Sequence, residues 1–232
     1  VQATWGWRQP KRKSANTPAN KTNFINQLTV FLLKYFWGLK CCNMQKVFFV
    51  SQNRHKFDEI NRILSAHNVK LSWKKLALLE PDFTSREEIA RFKAKQAFEK
   101  IKKPVVVEDT GVFFEAFNSF PGVMAKRVFN GIGFDGLSTL IRSVKNKEAY
   151  FETVICYSDG VRSFNCFSGK LSGTLVDSPR ALKADRLPYE KLFVPDSYNT
   201  VLAEISIEGK NKISHRGIAA QKLGHWLSKK FI

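Results

Sequence analysis

Three short stretches carry side chains that handle phosphate, metal ions and water. KNKISHRG, residues 210–217, packs three basic residues and a His into eight positions ahead of an apolar helical stretch. Ser before a helix is a common N-cap, because its oxygen accepts an orphan backbone N–H. Lys210, His215, Arg216 and a helix N-terminus also suit an anion. The stretch therefore reads either as a cap or as an anion site. VVVEDTG, residues 105–111, reads as a β-branched strand that delivers Glu108 and Asp109 to its C-terminal end before a Gly. Adjacent carboxylates there suit Mg²⁺ binding or activation of water, or else a solvated Asx-turn. SQNRHK, residues 51–56, falls between a strand-like and a helix-like segment. Backbone N–H groups and the Asn53 amide can hold phosphate there, although a plain βα turn has the same composition. It lacks the Gly spacing and the Gly-Lys-Ser/Thr ending of a P-loop.

The elements that must position these groups follow an α/β pattern from Met44 onward. KVFFV is a short buried strand. Phe57, Ile60, Ile63 and Leu64 share one helical face, predicting a helix over 57–68. VKLSWKKLAL reads as a strand. Ser85 followed by Glu88 is a capping-box signature for a helix over 85–102. Glu80 and Asp82 precede that helix and are placed to join a metal site. AYFETVICYS and VRSFNCFSGKLSGTLV read as antiparallel strands about the turn SDG, and LGHWLSKKFI as a closing helix.

Composition limits the partners. The 232-residue chain is 44% hydrophobic, enough for a sizeable core, and carries 38 Lys and Arg against 20 Asp and Glu, a formal net charge of +18. Such an excess favours an anionic partner: nucleic acid, nucleotide or an anionic membrane surface. Residues 1–43 hold seven of the basic residues and no acid. They read as a basic arm, with residues 44–232 as the domain. The apolar run 24–40 is short for a membrane span. It reads as an amphipathic helix on a membrane or on the domain, as part of an organelle transit peptide, or as translated leader ahead of Met44. The four Cys show no zinc spacing, and Cys156 and Cys166 are expected to be reduced thiols.

In order along the chain, these clusters resemble the inosine triphosphate pyrophosphatase family over about residues 46–222. The matching residues are Ser51, Asn53 and Lys56, then Glu80 or Asp82, Lys93 within the capping-box helix, VVVEDTG, PGVMAK ending in Lys126, and KNKISHR. The resemblance implies an elongated mixed central sheet flanked by helices, two lobes with a cleft between them, and a cytoplasmic homodimer. It implies Mg²⁺, with Mn²⁺ as a substitute, held by Glu80, Glu108 and Asp109. It also implies attack of water on the α-phosphorus of a purine nucleoside triphosphate, oriented by Asp109 with Lys56, releasing pyrophosphate. Substrate contacts fall to Ser51, Asn53, Lys56, Lys93, Lys126, Tyr189, Glu190, Lys210, Ser214, His215 and Arg216. These would read the 6-keto group of inosine or xanthosine. With the resemblance, the anion reading of SHR prevails, and the cap can hold as well.

One segment departs. The family has Phe-Gly-Trp/Tyr-Asp-Pro before Phe-x-Pro, where this chain reads LPYEKLFVP. Leu187 stands for the stacking Phe, Glu190 for Asp and Lys191 for Pro. Leu gives apolar contact but no π-face. The rival reading is a basic nucleic-acid- or nucleotide-binding protein on the same fold with little turnover.

Overall fold

The computed structural model describes residues 46–81, 83 and 85–230. The readings for the arm and for Asp82 fall outside them. The described residues lie in one unit, Met44–Ile232. Its elements in chain order are β1 (Val47–Val50), α1 (Arg54–Ser65), β2 (Leu71–Lys74), α2 (Arg86–Ile101), β3 (Val105–Phe114), β4 (Phe120–Gly122), α3 (Ala125–Arg142), β5 (Glu148–Gly160), β6 (Ser163–Leu175), β7 (Phe193–Pro195), α4 (Ile207–Ile213) and α5 (His215–Lys230).

Local chemistry sets the helix starts. Asn53 Oδ1 accepts from His55 N and Lys56 N, so α1 begins three residues earlier than the apolar face alone predicts. Ser85 caps α2 through Glu88 N, as the capping-box reading expects. Ser214 caps α5, its Oγ accepting from Gly217 N at 3.0 Å. The buried face of α2 carries Ile89, Ala90, Ala94 and Ala97, small side chains that let the helix lie close on the sheet. Gly133, at φ 59° and ψ −162°, breaks α3 into two helical pieces.

Seven strands form one mixed sheet in the order β2-β1-β3-β5-β6-β7, with β4 paired to β3. β1 runs parallel to β2 and β3, and the remaining pairs are antiparallel. The mixed sheet flanked by helices is the expected class. β3 is longer than its sequence suggests, and Glu108 and Asp109 sit in its middle rather than at its end. The reason is pairing: Val112, Phe113 and Phe114 continue the strand between β4 and β5. Conversely, β2 stops at Lys74, well short of the predicted strand. Along one edge of β3, β5 pairs continuously from Val105 to Phe114. On the other edge, pairing to β1 stops at Val106 and pairing to β4 begins only at Val112. The edge is interrupted at the two carboxylates.

Cores lie on both sides of the sheet. Val106 packs with Phe57, Ile60 and Leu64 of α1 and Leu223 and Leu227 of α5. Val112 and Phe114 pack with Leu137 and Ile141 of α3 and with Leu192 and Phe193. Val105 and Val107 pack on the opposite face against α2. Cys156 and Cys166, directly paired between β5 and β6, form a disulfide instead of the expected free thiols. The strand register brings together two cysteines that their sequence separation does not single out. Among the described residues, no helix is long and apolar enough to cross a membrane.

Candidate active site

Side chains alternate along a strand, so adjacent residues face opposite sides of a sheet. Glu108 and Thr110 share the face of Val106 and Val112, in the polar interval between the α1/α5 core and the α3 core. Asp109 shares the face of Val105 and Val107, towards α2. The two neighbouring carboxylates therefore have different partners.

Glu108 pairs with Lys56 of α1 and lies 3.5 Å from Arg216 Nε, while Thr110 Oγ1 donates to it at 2.7 Å. Burial pushes its pKa up. The Lys56 and Arg216 charges, with hydrogen bonds from Lys56 and Thr110, outweigh this and hold it well below the usual carboxylate range. Asp109 differs. Burial raises its pKa, the Glu108 charge adds to the rise, and Lys93 and Lys56 only partly oppose it. Lys93 Nζ reaches Asp109 Oδ1 at 3.2 Å, the Glu108 carbonyl at 3.1 Å and Glu80 Oε1 at 3.4 Å. Its ammonium thus occupies the interrupted edge. Burial disfavours that charge, but Asp109, Glu108 and Glu80 raise the Lys93 pKa overall.

A second ionic cluster adjoins the first. Arg216 is fully buried at the start of α5, and its Nη1 donates to Glu59 Oε2 at 2.7 Å. Lys210 Nζ donates to Glu59 Oε1 at 2.6 Å and Glu190 Oε1 at 2.5 Å. Glu59 holds both cations, although the sequence reading overlooked it. Its signal was its place three residues after Lys56, on the same face of α1. Thr110 and Phe151 were missed as well. Thr110 bonds Glu108 and Thr153. Phe151 has no signal beyond being an apolar strand residue. Its ring stacks on His215 at 4.7 Å and 10°. Burial, with the Arg216 and Lys210 charges, lowers the His215 pKa and keeps the ring neutral.

Several of these groups border a cavity of about 390 Å³. Its lining includes Ser51, Asn53, Lys56, Glu80, Lys93, Glu108, Lys126, Leu187, Tyr189 and Arg216. Four cations thus face two carboxylates. The first turns of α1, α3 and α5 all contribute lining residues, which adds the positive ends of three helix dipoles. Because Asn53 caps α1 with its oxygen, its amide N–H groups remain for a ligand. An adjoining cavity of about 290 Å³ shares Glu80, Lys126 and Asn130 and adds Asp109. Glu190 borders a separate cavity that shares Leu187 as its wall. Lys210, Ser214 and His215 stand behind the main cavity rather than in its lining, Ser214 as the helix cap and His215 behind Phe151.

The carboxylates named for metal divide between the faces. Glu80 and Asp109 converge on Lys93, and Glu108 lies across the strand. Among the described residues, no group of three or more His, Cys, Asp or Glu side chains is arranged to hold a metal. One observation nevertheless fits a divalent cation. Asp109 Oδ2 is buried without a hydrogen-bond partner among the described residues, and an unpaired buried carboxylate oxygen is costly.

An acid-bordered basic cavity at a gap in a mixed sheet defines an α/β protein with a pocket of the charge that a polyanion matches. The chain belongs to the Ham1 family, whose model matches residues 47–226. It is 36% identical over 183 residues to the dITP/XTP pyrophosphatase of Hyperthermus butylicus, covering 78% of this chain and 94% of that one. It is also 36% identical over 185 residues to the inosine triphosphate pyrophosphatase of Yarrowia lipolytica, covering 79% and 96%. The fold is similar to that of a HAM1 protein from Coxiella burnetii, with a TM-score of 0.71 at 23% identity, covering 80% of this chain and all of that one.

Proposed function

We propose that this chain hydrolyses non-canonical purine nucleoside triphosphates, those of inosine and xanthosine and their deoxy forms, to the monophosphate and pyrophosphate. The observation that carries the reading is the cavity itself. Lys56, Lys126 and Arg216 line it beside the buried, incompletely paired Asp109, in a chain related to proteins named for this reaction.

Lys56, Lys126 and the helix N-termini hold the phosphates, and Arg216 adds charge at the inner wall. Asp109 orients the attacking water and accepts its proton, a role its raised pKa suits. Water adds to the α-phosphorus as the bond to the α–β bridging oxygen breaks, and pyrophosphate leaves. Asp109 and Glu80 are the residues that would hold Mg²⁺. When bound, the ion supplies positive charge against the phosphate oxygens. Leu187 and Tyr189 form the apolar wall for the base, with Glu190, Lys210 and the SHR segment behind it. A buried donor set aimed at a 6-keto group loses a partner when adenine presents an amino group. A homodimer belongs to the same reading, and a solution mass twice that of the chain would support it.

The decisive assay is pyrophosphate release from inosine triphosphate and from ATP, with and without Mg²⁺. Metal-dependent release that favours inosine triphosphate is expected. Binding of nucleic acid without release of pyrophosphate from any triphosphate would replace this reading with the rival one.

A further inference from the structure

Away from the main cavity, the turn after α1 meets the later part of α5. His67 lies in that turn and His225 on α5, and their rings meet edge-on with centroids 4.7 Å apart and an interplanar angle of 61°. Gly224 permits the approach, because a Cβ there would lie 2.4 Å from His67 Cδ2. His225 Nδ1 lies 2.9 Å from the Gln221 carbonyl oxygen. A carbonyl only accepts, so Nδ1 carries the proton and the lone pair is left on Nε2. This is how metal-binding imidazoles are commonly prepared, with the second ring N–H fixed on a carbonyl.

We propose that His67 and His225 together form a binding site for a divalent transition metal ion of the zinc or nickel class, with water completing its coordination. Two imidazoles on one tetrahedral zinc, with Zn–N distances of ~2.0–2.1 Å, place their ring centroids on the order of 5 Å apart. The observed centroid spacing of 4.7 Å matches this separation, and rotation of the exposed His225 ring is what would bring its Nε2 onto the shared ion. His225 is exposed, so an ion can reach the pair from solvent. Among the described residues, no third His, Cys, Asp or Glu joins the pair, which makes it an open, exchangeable site rather than a closed cage. Mg²⁺ prefers oxygen ligands, so this nitrogen site does not compete with Asp109 for its ion. An ion held here ties the end of α1 to α5, the helix that carries Arg216 at its start.

The test is calorimetric titration of the full chain with Zn²⁺ at neutral pH in saturating Mg²⁺, on wild type, His67→Gln and His225→Gln. Wild type is expected to take up one zinc more than either variant, and zinc should raise its melting temperature but not that of His225→Gln. The exposed position of His225 makes that variant a safe one for folding. Mg²⁺-dependent turnover without zinc should stay within about twofold in both variants. Equal zinc uptake by wild type and His225→Gln, or no uptake by wild type at micromolar zinc, would overturn the assignment.

Discussion

In the proposed reaction, Asp109 is the residue on which the chemistry turns. Asp109→Asn keeps the shape and removes the charge, and should lower turnover at least ~100-fold, the scale of losing a general base, with nucleotide binding largely kept in a calorimetric titration. Wild-type turnover in this variant would remove Asp109 from the mechanism. Its pKa lies above the ordinary 3.8, with burial the largest cause. The base form is therefore lost as pH falls through that raised value. The acid limb of kcat/KM should lie at a higher pH than an ordinary aspartate would give, and a limb at or below 3.8 would contradict this. Leu187 belongs to the same scale. It lines the cavity where the resembling family has an aromatic ring. Leu187→Phe should raise kcat/KM for inosine triphosphate several-fold, since an aromatic contact contributes ~1 kcal/mol. The pair Glu108–Asp109 was legible as chemistry because two acids ahead of Gly stand out. Their separation onto opposite faces was not, because the strand was expected to stop where it in fact continues. Glu59 escaped notice because an acid on a helix face usually meets only water.

The elements owe their placement to caps and register. Trp73 of β2 donates its indole N–H to the Ser51 carbonyl at 2.9 Å, across the turn that borders the cavity. Trp73→Phe keeps an aromatic surface and removes that bond, whose net worth is ~1 kcal/mol. KM for the triphosphate should rise about fivefold with kcat little changed, and an unaltered KM would show that the turn holds itself. Helices and antiparallel strands were readable from apolar spacing and capping residues. β4 and β7 were not, being three residues each and defined by their partners rather than by any pattern of their own. Acid stability is decided between α1, β3 and α5. Glu108 and Glu59 both have pKa values lowered below the ordinary 4.5: burial raises each, and the Lys and Arg charges around them prevail. The stability they contribute is complete above that value and is lost as pH falls below it towards their folded values. Asp109, shifted upward, acts in the opposite sense, but it is one group against two. The melting temperature should fall as pH drops from about 5 to 3, and Glu108→Gln should flatten that slope.

At the scale of the whole chain, every functional group named above lies in the unit Met44–Ile232. A protein starting at Met44 should fold and release pyrophosphate at the full-length rate, as circular dichroism and the same assay would register. Loss of folding would assign residues 1–43 a part in the domain. The gap between β1 and β4 along β3 has a further consequence. An open sheet edge invites another chain to add a strand, and proteins guard such edges with charge. Here Lys93 covers the Glu108 carbonyl, which has no strand partner on that edge, and Lys56 and Lys126 border the same opening. An intruding strand would have to displace Lys93 from Asp109 and the Glu108 carbonyl and bury its own backbone beside Lys56 and Lys126. Under the proposed function, Lys56 and Lys126 would then serve twice, receiving phosphate and, with Lys93, keeping crowded copies of the protein from stitching together, and neutralising Lys93 should cost solubility as well as turnover.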